Sequence, residues 1–552
     1  MITLGGIIGS SLFVGSGNVV RSVGPAAVLS YLIGGLLVFL AMRMLGEMAA
    51  SRPEVGSFME YARVGLGDWA AYLVGWLYWY FWVGVIAFEA VVGGAILHGW
   101  IPALAPWVFS VLLLLVFTAT NLFSLRSFGE VEFWLASVKV IAIVVFLIVG
   151  TLFALGIWPG SHLSIPNLWT HGGFAPMGVW PIVAGVAVVI FSYFGTEIAV
   201  MAAAESVDPA KGIRQATQTV VWRILLFFVG GVLIIVTVVP WDELPDPKKT
   251  APFAYIFGLF GLHGAQTFMT AVILTAVCSV LNSGLYSSAR MLAALAGKGF
   301  APRAVARSAR GVPVFAVLAA TIGGYVAVVV NYLAPQSGIF DFIMSSAGLV
   351  ALFVYSFIAA TQISLRSAMT PEQTAALKLR VWLHPWLGIL VIASVIGIVI
   401  VMFIDPAGRD QVLTSLVSVS VLLAAWPFVR ASLRARGGRV GLYAGFCPAA
   451  PRRGGSDHPS GHTVAGYLKR PTRRLGRAAL ERLRSRTDAT FWPCFGWGLP
   501  SHPGHPECWC ALTAPFHPYL SPPGSPAAAG GLFSVALSRE SPRIAVSNHP
   551  AL

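Results

Sequence analysis

The sequence predicts an all-α polytopic membrane protein of 12 transmembrane helices, and three observations predict it. Of its residues 57% are hydrophobic and only 11% charged, with a strongly positive mean hydropathy. A helix needs about 20 mostly apolar residues to cross a bilayer, and twelve such stretches precede residue 433. Runs such as VIAIVVFLIVG (140–150) are uniformly apolar, whereas barrel strands alternate lipid-facing and lumen-facing residues.

The stretches begin near Ile2, Gly24, Asp68, Ala105, Glu130, Met177, Thr217, Ala265, Val314, Ile339, Pro385 and Val412, and the last ends near Val429. The first has no basic leader and no small-residue cleavage site, so no cleavable signal peptide is expected. The chain opens inside this first span, and a late or truncated start is expected. Alternate loops divide the Lys and Arg residues fifteen to four. Arg43, Arg63, Arg214, Arg366 and Arg380 are among the fifteen, and Arg21, Lys248, Lys249 and Arg409 are the four. The richer side should be cytoplasmic, with both termini inside. Trp100, Trp107, Trp158, Trp180 and Trp241 fall near the outer helix ends, where interfacial aromatics belong.

The formal charge of +14 does not describe a nucleic-acid binder. Residues 1–436 carry 23 basic and 17 acidic side chains, and 437–552 carry 13 and 5, so the basic excess of the first part is topological. Residues 1–435 form the transmembrane domain. Beyond it the composition changes: the last 116 residues hold 15 of 35 prolines, 6 of 11 histidines and 4 of 5 cysteines. This 436–552 tail is expected to be disordered and an out-of-frame translation. Its His505, Cys508 and Cys510 (HPECWC) lack the spacing of a four-ligand zinc site, and no metal is expected.

Two glycine-broken apolar segments stand out: GGIIGSSLFVGSG (5–17) and FSYFGTE (191–197). Irregular backbone survives at membrane depth only where protein encloses it, and paired interrupted helices mark a transport site. Around Gly9, Ser10 and Ser11 the freed amides suit a carboxylate. Close packing through Gly6 and Ser10 is the competing explanation. Around Gly195 the carbonyls of Phe191, Ser192 and Phe194 suit an ammonium, with Phe191 and Tyr193 able to close over a ligand. An aromatic stripe beside a glycine also packs, so that alternative stays open.

Ionisable residues at membrane depth are costly. Glu89, Lys139 and Glu197 are therefore candidates, unless each snorkels to an interface or forms a structural ion pair. Lys139 lies seven residues after Glu132, with no opposite charge within a helical turn, and is a candidate proton carrier. An intramembrane enzyme finds little support. There is no HExxH, and the one GxGD string ends at Asp68, with Asp341 as the sole partner outside loops for the second carboxylate that aspartyl proteolysis needs.

At GGIIGSSLFVGSG, GPAAVLSYLIGGLLVFLAMRMLGEMA (24–49), EFWLASVKV (132–140), FSYFGTEIAVMAAAESVDPAKGI (191–213) and SVLNSGLYSSARML (279–292), the chain resembles the amino acid/polyamine/organocation superfamily and its bacterial amino acid transporter family. GWLYWYFWVGVIAFEA (75–90), ILHGWIP (96–102) and VVVNYLAP (328–335) are most similar to the 4-aminobutyrate permeases. Proline, aromatic and alanine/glycine/serine carriers share most of these motifs. The resemblance implies two inverted five-helix repeats with discontinuous helices 1 and 6, plus helices 11 and 12. It implies proton-coupled uptake of 4-aminobutyrate or a related amino acid by alternating access, with a proton gradient and no bound cofactor. It also implies a carboxylate site at Gly9, Ser10 and Ser11, an amine-facing carbonyl at Ile7, and an aromatic gate at Phe191. Ser192 and Phe194 match the unwound helix 6, Glu197 a coupling glutamate, and Lys139 a lysine standing in for a sodium ion. Glu89 joins Lys139 and Glu197 as a coupling candidate. A non-transporting sensor and a passive exchanger are the rival readings.

Overall fold

The computed structural model describes residues 8–51, 58–123, 125–204, 209–247, 249–308, 312–333, 339–377 and 379–435. Ile7, the Asp341 side chain and the 436–552 tail with His505, Cys508 and Cys510 lie outside the described residues. Their regular structure is helical, apart from a single isolated antiparallel bridge between Leu155 and Leu163. We number the helices α1 (Ser10–Phe13), α2 (Gly15–Val23), α3 (Ala27–Ser51), α4 (Phe58–Leu66), α5 (Asp68–Trp100), α6 (Pro106–Phe123) and α7 (Leu125–Ala154). After the short α8 (Asn167–Thr170) come α9 (Trp180–Tyr193), α10 (Thr196–Ala204), α11 (Pro209–Arg223), α12 (Gly230–Val238), α13 (Pro252–Leu259) and α14 (Ala265–Gly297). The last are α15 (Val314–Leu333), α16 (Ile339–Ser367), α17 (Pro371–Ala375), α18 (Trp386–Ile404) and α19 (Pro406–Ala435).

Ten helical stretches among the described residues are long and apolar enough to cross a membrane. Two of the twelve expected spans fall within one 42-residue stretch, Ser10–Ser51. That stretch turns at Gly24–Ala26, a short 3₁₀ segment. Another expected span is split, because α9 has 14 residues and α10 has nine, each too short to cross alone.

The helices sort by what they bury. α5 and α14, both 33 residues long, are mostly buried and pack on one another more extensively than any other pair. On α6, α7, α18 and α19, Leu115, Ile141, Ile148, Ile400 and Val421 point outward and are more than half exposed. In water, continuous apolar surface of this extent is a liability. In hydrocarbon it is the solvent-facing side, and the molecule is a multi-pass membrane protein. Trp100, Trp107 and Trp180 are exposed at helix ends. Trp158 and Trp241 are half-buried there, their indole N–H groups donating to the carbonyls of Phe260 and His171.

Candidate binding site between two helix breaks

The described part of the first glycine-rich segment opens on Ile8 and Gly9, and its irregular backbone is here termed the first break. Gly9 is extended (φ −124°, ψ −163°) ahead of the four-residue α1. A Cβ at this position would lie 2.7 Å from both Glu89 Oε1 and Val280 Cγ2, so the missing side chain is what lets α5 and α14 approach. The Ser10 amide, left without a helical partner by the break, donates to Glu89 Oε1 at 3.2 Å. The sequence expectation reserved this amide for a ligand carboxylate; in this conformation the protein's own carboxylate takes it.

The second break follows α9. Phe194 is extended (φ −64°, ψ 140°), and Gly195 has φ +106°, a conformation that side-chain-bearing residues rarely adopt. In a continuous helix the Gly195 amide would bond the Phe191 carbonyl. Instead it donates to Glu197 Oε2 at 2.9 Å, while the Phe194 amide takes the Phe191 carbonyl at 3.3 Å. The Phe191 carbonyl is thus engaged within the chain, contrary to the expectation that it stands free. Glu197 sits in the first turn of α10, where the helix dipole favours a carboxylate, and its Oε1 accepts from the Tyr78 hydroxyl at 3.1 Å.

The two breaks touch: Ser192 Oγ donates to the Ser11 carbonyl at 3.4 Å. Tyr193 does not join them. It is fully buried, and its hydroxyl donates to the Tyr31 carbonyl on α3 at 2.9 Å, which corrects the expectation that it closes over a ligand. The reason is rotational, since consecutive helical residues are about 100° apart and Phe191 and Tyr193 face different sides.

Lys139 does not snorkel. It is fully buried, and its Nζ donates to the Ile8 carbonyl and to Ser279 Oγ, both at 2.8 Å. Ser279 in turn donates to Glu132 Oε1, whose other oxygen accepts from Asn282 Nδ2 at 3.0 Å. Asn121 Nδ2 donates to Asn282 Oδ1 at 3.1 Å. The opposite charge missing within one helical turn of Lys139 therefore arrives through a serine bridge. The signal was in the spacing: seven residues are two turns, which puts Glu132 and Lys139 on one face.

Between the breaks lies a cavity lined by Gly9, Ser11, Phe191 and Phe194, by Phe81, Trp82, Val85 and Glu89 of α5, and by Val280 of α14. Its volume is about 20 Å³, room for about one water molecule, so the site is closed around itself. Phe81 packs 5.4 Å from Phe191 and 4.2 Å from Phe194, centroid to centroid. Within the cavity wall, Trp82 Nε1 and Glu89 Oε2 are buried and lack a hydrogen-bond partner among the described residues. Of the expected site residues, Gly9, Ser11, Phe191, Phe194 and Glu89 line this space. Ser10 reaches it through Glu89 and Ser192 through Ser11, while Lys139 and Glu197 stand behind the two breaks. Asp68, the last residue of the GxGD string, begins α5 and faces Arg63 at 3.9 Å.

Residues not expected from the sequence are Tyr78, Phe81, Trp82, Val85, Val280, Glu132, Ser279 and Asn282. The α5 contributors were recoverable: Tyr78, Phe81, Trp82, Val85 and Glu89 fall at i, i+3, i+4, i+7 and i+11, one face of a helix.

A multi-pass helical protein in which the start of one short helix and the break of another meet around a small cavity edged by buried charges has the build of a membrane carrier for a small solute. The chain belongs to the amino acid permease family, whose model matches residues 1–434. It is 44% identical over 427 residues to the gamma-aminobutyric acid permease of Bacillus subtilis, covering 77% of this chain and 90% of that one. The corresponding protein of Escherichia coli, also named gamma-aminobutyric acid permease, is 41% identical, with 76% and 91% covered. The aromatic amino acid transport protein AroP of Corynebacterium glutamicum is 37% identical, with 80% and 95% covered. The family and these names indicate a transporter rather than an enzyme.

Proposed function

We propose that the protein imports 4-aminobutyrate, or a closely related amino acid, across the bacterial cytoplasmic membrane together with protons. The observation that carries this reading is the direct junction of the two breaks, Ser192 Oγ on the Ser11 carbonyl, with Glu89 holding the Ser10 amide beside it. Amides on one side and carbonyls on the other offer complementary ends to a zwitterion. Identities of 44% and 41% to two gamma-aminobutyric acid permeases support the substrate.

In the proposed cycle Glu89 is the substrate's rival. Its carboxylate occupies the Ser10 amide while the site is empty, and a proton on Glu89 weakens that bond and frees the amide for the substrate carboxylate. The substrate's ammonium is then taken by carbonyls of the second break and by the Ile7 region. Since the empty cavity admits about one water, entry requires Phe191 to swing from Phe81 and the segments around α1 and α9 to rock against the rest. Lys139, through the Ile8 carbonyl, and Glu197, through the Gly195 amide, grip the two broken segments from behind, and their protonation biases that motion.

In this reading the chain crosses the membrane twelve times. Ser10–Ser51 with the residues before it counts as two spans, and α9 with α10 as one discontinuous span. The first ten spans are two inverted five-helix repeats, and both termini are cytoplasmic. A single uptake experiment tests the substrate: radiolabelled 4-aminobutyrate entering proteoliposomes, challenged with excess unlabelled 4-aminobutyrate, proline, phenylalanine or alanine. Competition by 4-aminobutyrate alone is the expected result, and stronger competition by any of the other three reassigns the substrate.

A further inference from the structure

A second cleft, separate from the cavity, is bounded by Arg43 of α3, Arg366 and Ser367 of α16, Thr374 of α17 and residues 380–384 leading into α18. Its base is a buried polar knot. Glu47, 2% exposed, accepts from Arg366 Nη1 at 2.6 Å, from Gln362 Nε2 at 2.8 Å and from the Val381 amide. Arg366 also donates to the Val381 carbonyl at 3.1 Å. Among the described residues of this cleft one carboxylate stands against three guanidinium groups, bonded to Arg366 and acting through its charge on Arg43, so positive charge is in excess.

Arg43 is held in place rather than waving in solvent. Its Nη2 donates to the Arg380 carbonyl at 3.1 Å, and its guanidinium lies 4.7 Å from the centroid of the Trp382 ring, within cation–π range. Its Nε is buried without a hydrogen-bond partner among the described residues, as is His384 Nδ1. Unanswered buried polar atoms are uncommon in native proteins and point to a missing partner. Burial, and then the charge of Arg366, push the His384 pKa below the ordinary histidine value, so this ring brings a hydrogen-bonding nitrogen rather than a charge.

The rim is of the opposite character. Trp382 and Leu383, which line the cleft, are both more than half exposed, an apolar edge beside a basic floor. In the twelve-span reading proposed above, Arg43, Arg366 and Arg380 belong to the membrane face that carries fifteen of the loop cations. A phospholipid presents the matching pair of surfaces, an anionic phosphate and an acyl chain, and basic pockets between membrane helices are recurrent headgroup sites.

We infer that this cleft binds a phosphate-bearing anion, with Arg43 and Arg380 meeting the phosphate and Trp382 and Leu383 flanking the acyl chain of a phospholipid. Fork-shaped guanidinium groups suit phosphate oxygens.

The test uses the purified full chain in detergent, with retained lipid read by native mass spectrometry and stability by thermal melting. Phosphatidylglycerol should be retained and raise the melting temperature, whereas zwitterionic phosphatidylethanolamine should do neither. Replacing Arg43→Gln and Arg380→Gln together should lower phosphatidylglycerol affinity about thirtyfold. The single variant Arg380→Gln, at an exposed side chain, should lower it about fivefold and serves if the double variant does not fold. Inorganic phosphate that stabilises the chain and displaces the lipid would identify a soluble phosphate as the natural source. Equal retention of the two lipids with no response to inorganic phosphate would overturn the inference, as would undiminished phosphatidylglycerol binding by Arg380→Gln.

Discussion

The Lys139 ammonium donates to the Ile8 carbonyl at 2.8 Å, one residue before the extended Gly9 that leads into α1. On its other side the same ammonium bonds Ser279, which bonds Glu132. One side chain therefore joins the broken strand of backbone on which a substrate carboxylate would rest to a buried acidic group on its own helix, by way of α14. Losing a proton would leave Lys139 fewer donors for the same two acceptors, and the break would be held less firmly. This gives the proposed proton coupling a concrete location.

Gly9→Ala should abolish uptake while the chain still inserts. The new Cβ meets Glu89 Oε1 and Val280 Cγ2 at 2.7 Å, and overpacking of that kind costs about 1–3 kcal/mol. Gly15→Ala is the control, because a Cβ there meets nothing within 4 Å. Melting temperatures in detergent and initial uptake rates check both, and equal behaviour of the two variants would contradict the packing argument.

Arg366→Ala should be among the most destabilising single changes outside the cavity. It removes the 2.6 Å partner of Glu47 and leaves a buried carboxylate uncompensated, at a cost of about 3–5 kcal/mol. The double variant Arg366→Ala with Glu47→Ala should recover part of that loss, as a double-mutant cycle on melting will report.

The cluster around Glu60 should show a weak, acid-sensitive contribution. Burial raises the Glu60 carboxyl, but the hydrogen bonds and charges of Arg63 and Lys298 outweigh it and hold the group below its ordinary value. A carboxyl whose folded pKa is depressed contributes its stability above the unfolded pKa and loses it as pH falls through the folded one. Since the contacts of Arg63 at 2.7 Å and Lys298 at 3.0 Å to Glu60 are partly exposed, the effect should stay under about 1 kcal/mol. The melting difference between wild type and Glu60→Gln should be present at neutral pH and vanish as pH drops below the ordinary carboxylate range.

Much of the site was legible in the sequence because it is made of local backbone irregularity. Glycine clusters at 5–17 and 191–197 can be read one segment at a time; the second breaks at Gly195, and the described part of the first meets it at Ser11. Glu89, Lys139 and Glu197 were visible because charge at membrane depth is rare. What escaped depends on which helix faces which. Val280, Ser279 and Asn282 sit on α14, an apolar helix dotted with small polar residues, and nothing in its own pattern says that it faces Lys139 and Glu132. The Tyr193 expectation failed for the same reason, since its direction is set by packing on Tyr31. The number of spans was read as twelve from hydropathy, while ten helical stretches stand out by length because a turn at Gly24 and a break at Gly195 do not respect a sliding window.

The most direct test of the account is accumulation of radiolabelled 4-aminobutyrate in proteoliposomes, with and without an inward-directed pH gradient, by wild type and by Lys139→Ala. Wild type should concentrate the substrate only when the gradient is present, and Lys139→Ala should bind it but fail to concentrate it. Gradient-independent exchange by wild type, or wild-type accumulation by Lys139→Ala, would contradict the assignment of proton coupling to this lysine and its hold on Ile8.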